Sequence, residues 1–354
     1  MKPPSKNSTI ADVARLAGVS KSTVSRVLRG ETHYIRAETC EKVLSSIAEL
    51  DYRPSSVARS LVSKRTHTVG LLVSDVGNPF YPEVIHGVED KAFAHGYQVF
   101  LCNTSYDLQR GLTFIRSLVD RQVDGILVMT SSVSDDFVRE LVDNRTAGVL
   151  LDWKLEQTLG EAGHIGAIQV DFENGIRAAV EHLMALGHRR FAHVSGPLQL
   201  HTSCTRRDVF LDALEKHGID KEQVLVIEGN LRIDGGRRAL AEVLAPVQPP
   251  TAVFCANDLT AIGLVWAAKE EGLRVPEDVS VVGLDDIQLA SEISPALSTV
   301  AMPRCKIGHM AMEMLIELLE SPEMESKGQL QNQIETRLVI RQSSGPARKT
   351  QLRP

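Results

Sequence analysis

Near the N-terminus apolar residues recur at helical spacing: Ile10, Val13, Ala14 and Ala17 share one face, and Gly18 interrupts them. Glycine takes positive φ without a steric penalty, so a tight turn is expected there. A second helix follows from Ser20, whose hydroxyl suits an N-cap, with Val24, Val27 and Leu28 on its buried side. Helix, short glycine turn and helix form the helix-turn-helix unit, whose second helix enters the major groove of DNA. Lys21, Ser22, Ser25 and Arg26 lie opposite the apolar side of that helix. An arginine can bond guanine in bidentate fashion, while Ser and Lys more often hold phosphate. A polar loop, 29–36, leads to a third helix over 37–50 with Val43, Leu44, Ile47 and Leu50 on one face. Pro54 disfavours helix in the residue before it and can open a new one. A helix from Ser55 to Leu61 would have only two turns and be marginal alone in water.

From His67 the pattern changes to alternation of strand and helix. Short apolar runs at Val69–Ser74, Val99–Cys102, Gly125–Met129 and Val149–Leu151 read as strands buried on both faces of a parallel sheet. Amphipathic helices fall between them at Tyr81–Ala94, Leu108–Arg121 and Asp135–Val142. The alternation restarts near Ile165, with strands at Ala167–Val170, Phe191–Val194, Val224–Ile227, Ala252–Cys255 and Val279–Val282. The fold class expected is therefore α/β, an all-α head followed by two lobes built on doubly wound parallel sheets.

Charge sharpens the division. The net charge is −6, yet residues 1–65 hold 12 Lys and Arg against 6 Asp and Glu, and the remainder holds 27 against 39. A basic head on an acidic body points to a polyanion partner for the head alone. The five cysteines, Cys40, Cys102, Cys204, Cys255 and Cys305, are scattered and have no metal-ligand spacing, which suits buried thiols in a reducing cytosol. Met-Lys-Pro-Pro-Ser-Lys at the start lacks the apolar segment of a signal peptide, and no run approaches the ~18 apolar residues of a membrane helix. A cytoplasmic protein with no membrane partner, no metal and no cofactor is expected.

The string Thr9–Leu28 resembles the N-terminus of the LacI/GalR family of bacterial transcription regulators, and the similarity continues to about Arg341. Within that family Thr66–Gly70, Asn78-Pro-Phe-Tyr81, Leu101–Thr104, Asp152-Trp153 and Ser195–Leu198 most resemble the ribose repressor branch. The resemblance implies a helix-turn-helix head over 1–53, a hinge helix and linker over 54–65, and a two-lobe periplasmic-binding-protein-like core over 66–341 that also dimerises. Lobe 1 is expected at 66–163 plus 300–328 and lobe 2 at 164–299 plus 329–341, because in the family the chain crosses back: a late helix, Pro303–Leu319, joins the first lobe and a strand around Ile334–Ile340 the second. The polar, basic tail 342–354 is expected to be disordered. Compared with the family the 29–36 loop is one residue longer, and Arg36 stands where a Ser or Thr N-cap is usual.

In the family the hinge helix orders on operator DNA and wedges a leucine into the minor groove, a way of kinking a base step. The matching residue is Leu61, flanked by Ala58 and Arg59; the alternative is that Leu61 covers the small core of the head. The candidate DNA-binding residues are thus Thr9, Ser20, Lys21, Ser22, Ser25, Arg26, Arg29, Ala58, Arg59 and Leu61.

In open parallel sheets ligands bind beyond the carboxyl ends of the strands. Those positions carry Asn78, Phe80, Tyr81, Asp152, Trp153, Asn257, Asp258, Asp285 and Asp286, the amide, carboxylate and aromatic types that suit polyols. Matching to the family's effector cleft adds Arg206 and gives the candidate effector set Asn78, Phe80, Tyr81, Asp152, Trp153, Thr202, Arg206, Leu231, Asn257 and Asp285. Plainer roles stay open: Asp258 as a helix N-cap, Asp286 as a solvated carboxylate, Asn78 and Pro79 as turn formers, Arg206 as an ion-paired helix residue. Leu200 stands where purine-sensing relatives carry arginine. Ala301-Met302 stand where His-Gln is frequent in ribose and purine types. A sugar, sugar acid or polyol is the effector class expected.

No Gly-x-Ser-x-Gly elbow, phosphate loop, dinucleotide fingerprint or His-Glu-x-x-His is present, so an enzyme is not expected. The expected function is that of a homodimeric repressor of carbohydrate-utilisation genes, reading near-palindromic double-stranded operator DNA and controlled by a small molecule between the lobes.

Overall fold

The computed structural model describes residues 8–28, 30–53, 65–152, 164–320 and 331–348. The chain divides between Thr66 and His67 into two units, each with its own core.

The N-terminal unit contains α1 (Ile10–Ala17), α2 (Lys21–Leu28) and α3 (Ala37–Glu49). Thr9 caps α1 through a reciprocal box with Asp12, its hydroxyl 2.6 Å from the Asp12 carboxylate. Gly18 takes φ 65° and its N–H closes the helix on Ala14 and Arg15 carbonyls, the turn its position predicted. Val13, Ala14, Val24, Val27 and Val43 form the core, with Ile10, Ala17, Leu28, Cys40, Ile47 and Leu50 packed around it. Leu44, expected on that face, is instead 56 % exposed. Its place is taken by Cys40, which with Val43 and Ile47 follows the i, i+3, i+7 stripe from which Leu44 is displaced. Arg36 precedes α3 without a side-chain cap.

The second unit holds two six-stranded sheets. The first runs β11-β5-β4-β3-β1-β2 and the second β12-β10-β9-β8-β6-β7, where β1 is Thr68–Val73, β2 Gln98–Asn103, β3 Gly125–Met129, β4 Ala147–Leu151, β5 Ile165–Asp171, β6 Phe191–Ser195, β7 Leu225–Glu228, β8 Ala252–Cys255, β9 Ser280–Asp285, β10 Ser298–Ala301, β11 Gln331–Glu335 and β12 Arg337–Val339. All pairings are parallel except β10 with β12. Strands β1, β3 and β4 are buried almost throughout, as apolar runs require. Strand β2 is an edge and leaves Phe100 and Leu101 nearly half exposed, contrary to the double-sided burial expected of it.

Three expected boundaries are corrected. The strand assigned to lobe 2 at Ala167–Val170 is β5 of the first sheet, paired with β4 in the register Gly148↔Ile165. The segment assigned whole to lobe 2 near 329–341 is split: β11 extends the first sheet beside β5 and β12 the second beside β10. Lobe 1 resumes after Met302, since β10 belongs to the second sheet. An apolar strand reads alike whichever sheet it joins, so only long-range pairing settles membership. Residues 342–348 are also no free tail. Ser343 is fully buried and its carbonyl accepts from Val281 N–H at 2.8 Å, while Ala347 N–H donates to Leu186 at 2.9 Å.

The lobes meet where three segments cross. Strand β5 passes into α7 (Phe172–Ala185), β10 into α12 (Arg304–Glu320), and β11 into β12. Thr336, between the last two strands, donates its hydroxyl to Asp171 O at 2.6 Å and accepts from Gly175 N–H at 3.1 Å. A Cβ at Gly175 would collide with Thr336 and Val300, so glycine is needed for this close approach.

Candidate functional site

In the N-terminal unit Ser20 Oγ accepts from Thr23 N–H at 3.1 Å and so caps α2. Lys21, Ser22 and Arg26 are exposed on α2 and Ser25 is half-buried. Thr9 is exposed and engaged in its capping box. Lys21 and Ser22 stand in the first turn of α2, with Ser25 and Arg26 in the turn that follows, and in a helix-turn-helix the N-terminal residues of the second helix are those that contact base edges. Arg29, Ala58, Arg59 and Leu61 lie outside the described residues.

In the second unit a cleft lies at the carboxyl ends of both sheets. Asn78, Phe80, Tyr81, Asp152, Thr202, Arg206, Leu231, Asn257 and Asp285 all line it, and Trp153 lies outside the described residues. Tyr106, Met129, Thr130, Ser131, Leu151, Val170, Phe172 and Met302 complete the wall. Tyr106, Thr130, Ser131 and Phe172 were missed by the sequence reading, although each lies shortly after a strand whose end it had located. The cavity measures about 40 Å³, room for one or two waters, so the lobes stand close together.

One carboxylate, Asp285, and one guanidinium, Arg206, organise its polar side. Arg206, on α8 (His201–Lys216), donates from Nη1 to Ala256 O at 2.8 Å, and its guanidinium carbon lies 5.0 Å from the centre of the Phe172 ring. Its Nη2 is 3.9 Å from Asp285 Oδ1. Asp285 Oδ1 and Arg206 Nε are both buried without a hydrogen-bond partner. Burial lifts the Asp285 carboxyl to about 6, against the pull of Arg206 and Arg304. Arg304 grips Glu83 with two bonds, 2.8 and 3.1 Å, and reaches Asp285 O at 3.3 Å, tying the crossing helix to the floor of the site.

On the opposite wall Tyr81 hydrogen-bonds Ser74 and Ser131, and burial raises its phenol. Ser74, Thr104, Thr130 and Ser132 form a chain of hydroxyl contacts of 3.0–3.2 Å beneath it. Asn78 Oδ1 accepts from Phe80 N–H at 3.0 Å, so the turn-forming role foreseen for Asn78 is met along with its place on the wall.

The pairs Asn257-Asp258 and Asp285-Asp286 separate in role. Asn257, not Asp258, caps α10 (Asp258–Glu270), with Oδ1 accepting from Thr260 N–H at 3.0 Å and Nδ2 donating to Leu231 O at 2.9 Å. Asp258 is fully buried and accepts from Ile287 N–H at 2.9 Å and Thr299 hydroxyl at 2.6 Å. Burial first, then the Asp285 charge, raises its pKa well above the carboxylate range. It is an internal brace, neither cap nor ligand contact. Asp286, foreseen as a solvated carboxylate, is bonded to Arg341 at 2.6 Å.

Residues 9–55 match the family of bacterial regulatory proteins, lacI family, and residues 180–344 match the periplasmic binding protein-like domain. The HTH-type transcriptional repressor PurR of Vibrio atlanticus is 39 % identical over 321 residues, spanning 90 % of this chain and 94 % of the relative. That of Photobacterium profundum is 37 % identical over 336 residues, 95 % and 98 % of the two chains. The chain belongs to the LacI family. Among solved structures, the lac repressor dimer bound to operator and the anti-inducer ONPF superposes with a TM-score of 0.84 at 28 % identity, covering 96 % of this chain and all of the other. A LacI family transcriptional regulator from Enterococcus faecium with bound ribose gives 0.69 at 30 % identity over 79 % of this chain and 99 % of the other.

This member of the LacI family is a DNA-binding transcriptional repressor with a ligand-binding domain, not an enzyme. The expected place in a ribose repressor branch is corrected: the PurR repressors of Vibrio atlanticus and Photobacterium profundum align along nine-tenths or more of the chain. No helix among the described residues is long and apolar enough to cross a membrane.

Proposed function

We propose that this repressor binds a near-palindromic operator as a cytoplasmic homodimer, through Thr9, Ser20, Lys21, Ser22, Ser25, Arg26 and Arg29 of the head and Ala58, Arg59 and Leu61 of the hinge, and that a small uncharged sugar or polyol in the interlobe cleft sets its affinity for DNA. One observation carries the effector reading. Asp285 Oδ1 and Arg206 Nε, an acceptor and a donor, are buried in one cavity with no hydrogen-bond partner. Vicinal hydroxyls supply a donor and an acceptor together, and the Phe172, Phe80 and Tyr81 rings offer faces for the C–H side of a sugar. The charged wall residues described are Asp152, Asp285 and Arg206, a surplus of negative charge that disfavours a sugar acid.

The PurR relatives support a second reading, a purine-related effector. Leu200 weighs against it: the residue is 4 % exposed, packed with Leu231 and Ala256, and presents no hydrogen-bonding group to a base edge. Calorimetric titration with pentoses, hexoses, gluconate and hypoxanthine decides between the two, followed by operator binding with each hit. Tight binding of hypoxanthine alone would overturn the sugar reading.

In this reading a ligand that favours one relation of the lobes changes the spacing of the two hinge segments in the dimer, and so orders or releases them on DNA. Leu61→Ala is expected to weaken specific operator binding by about tenfold or more, the scale of one lost minor-groove wedge, with non-specific binding nearly unchanged. Fluorescence anisotropy on operator and random duplexes checks this; equal losses on both would return Leu61 to the core of the head.

A pH dependence follows from Asp285. A carboxyl whose pKa is raised by folding favours the protonated form, so its contribution to stability is greatest below its ordinary pKa of 3.8 and declines as pH rises to about 6. The ionised carboxylate accepts charge-assisted hydrogen bonds from a polyol's hydroxyls, roughly twice as strong as those the protonated acid accepts. Affinity for such a ligand should therefore fall between pH 7 and pH 5, by up to about tenfold, with up to about half a proton released on binding near pH 6. Titrations in buffers of different ionisation enthalpy measure both, and Asp285→Asn should abolish the dependence.

A further inference from the structure

Tyr106 stands in the turn after β2, where Ser105 and Tyr106 take φ 55° and 62° and Asp107 N–H bonds Thr104 O at 3.1 Å. Two consecutive left-handed residues make a tight reversal that glycine or asparagine would occupy more easily, and here it carries a tyrosine. The reversal delivers the ring across the cleft. Tyr106 packs on Leu200, Leu231 and Ala256, three buried residues of the other lobe that form a small apolar cluster apart from the main cores. Leu231, facing it, also has positive φ, 61°. Tyr106 is hydrogen-bonded by Asn78, and burial raises its phenol. Beside it Asp75 and Arg232 join the lobes at 2.8 Å.

We propose that Tyr106 is a specificity-determining residue of the effector site: its ring, supplied by the first lobe, fills the apolar seat of Leu200, Leu231 and Ala256 and keeps that end of the cleft from a ligand larger than a monosaccharide. The proposal rests on reading the cleft as an effector site. An apolar seat suits the flat face of a ring, and Tyr106 occupies it in place of a base or a second sugar ring. The hydroxyl of Tyr106 meanwhile stays on the polar wall with Asn78. A larger ligand could enter only by displacing the ring, at the cost of the contact that holds the two lobes together there.

The test uses the full-length protein, Tyr106→Ala and Tyr106→Phe. Amide exchange without ligand comes first. Tyr106→Ala should accelerate exchange of the backbone around Leu231 and Arg232 by tenfold or more, while Tyr106→Phe stays near wild type and the N-terminal unit is unchanged. Calorimetry with ribose, glucose, cellobiose and hypoxanthine comes second. Tyr106→Ala should lose tenfold or more in affinity for the monosaccharide that wild type binds and gain measurable binding of cellobiose or hypoxanthine; Tyr106→Phe should keep the wild-type selectivity. Loss of fold does not create affinity for a bulkier ligand, so that gain separates a selective role from a merely structural one. An unchanged ligand spectrum in Tyr106→Ala overturns the proposal, as does unchanged exchange at Leu231. If wild type binds none of the four probes, the sugar reading falls, and the exchange comparison still decides whether Tyr106 holds the lobes.

Discussion

Arg206→Ala should weaken effector binding by about 100-fold or more while leaving operator affinity in the absence of effector unchanged. The guanidinium is held in place by Ala256 O, lies on the face of Phe172 and keeps Nε directed to no protein acceptor. Its side chain is only 13 % exposed and that of Asp285 only 4 %. Truncating one partner of a buried charge pair costs roughly 2–5 kcal/mol, because the remaining charge is left uncompensated. Arg304 is a poor substitute, since its guanidinium is already bonded twice to Glu83. Asp285 should then move further above 6 and lose its value as an acceptor at neutral pH. Arg206→Lys keeps the charge without the planar fork and should recover only part of the affinity. Calorimetry with the hit from the ligand panel, paired with an operator titration, measures both halves. Unaltered effector affinity in Arg206→Ala would make Arg206 a structural residue of the α7–α8 packing.

Gly236→Ala should destabilise the second unit by about 2–3 kcal/mol, although helix propensity alone favours alanine over glycine by about 1 kcal/mol. Gly236 lies in α9 (Ile233–Leu244), and a Cβ there would overlap the carbonyl oxygen of Thr260 in α10. Gly263 makes the reciprocal approach to Ile233 O. Both obstacles are backbone, which cannot swing aside as a side chain would, so the helices must separate. The dense interior next to them, with Ala239, Leu240, Ile262 and Leu264 all buried, has no slack to absorb the shift. Thermal unfolding should show a fall of roughly 5–10 °C in the transition of this unit. A rise in that transition would mean that the helices yield and propensity wins. Because the two effects have opposite signs, the measurement needs no fine calibration.

Much of this protein was legible one stretch at a time. The break at Gly18, the cap at Ser20 and the stripe of Val24 and Val27 are local signals, and the structure places each as the periodicity required. The strands at Gly125–Met129 and Ala252–Cys255 were legible because a run buried on both faces has no polar members. The rule that ligands sit past strand ends located Asn78, Phe80, Tyr81, Asp152, Asn257 and Asp285 in the cleft, and the family resemblance added Thr202, Arg206 and Leu231. The same rule would have reached Tyr106 and Phe172 had it been applied after every strand.

Other features depend on groups far apart in the chain. Asp258 sits where a cap is usual, but Asn257 takes that role and Asp258 turns inward to Ile287 and Thr299, 29 and 41 residues away. The membership of β5, the split of β11 from β12 at Thr336 and the docking of Ser343 through Ala347 on the second lobe are likewise settled by partners beyond any local window. By itself, then, the amino-acid order determined the elements, the helical head and the chemistry available at the strand ends, since periodicity, capping and turn propensity act over a few residues. Only the tertiary structure decided which sheet each strand joined, which carboxylate faced the cleft and which braced the interior, and that Tyr106 crosses from one lobe to the other. Those outcomes follow from burial and hydrogen-bond satisfaction between distant segments, where residues of the same type meet different fates according to what closes over them.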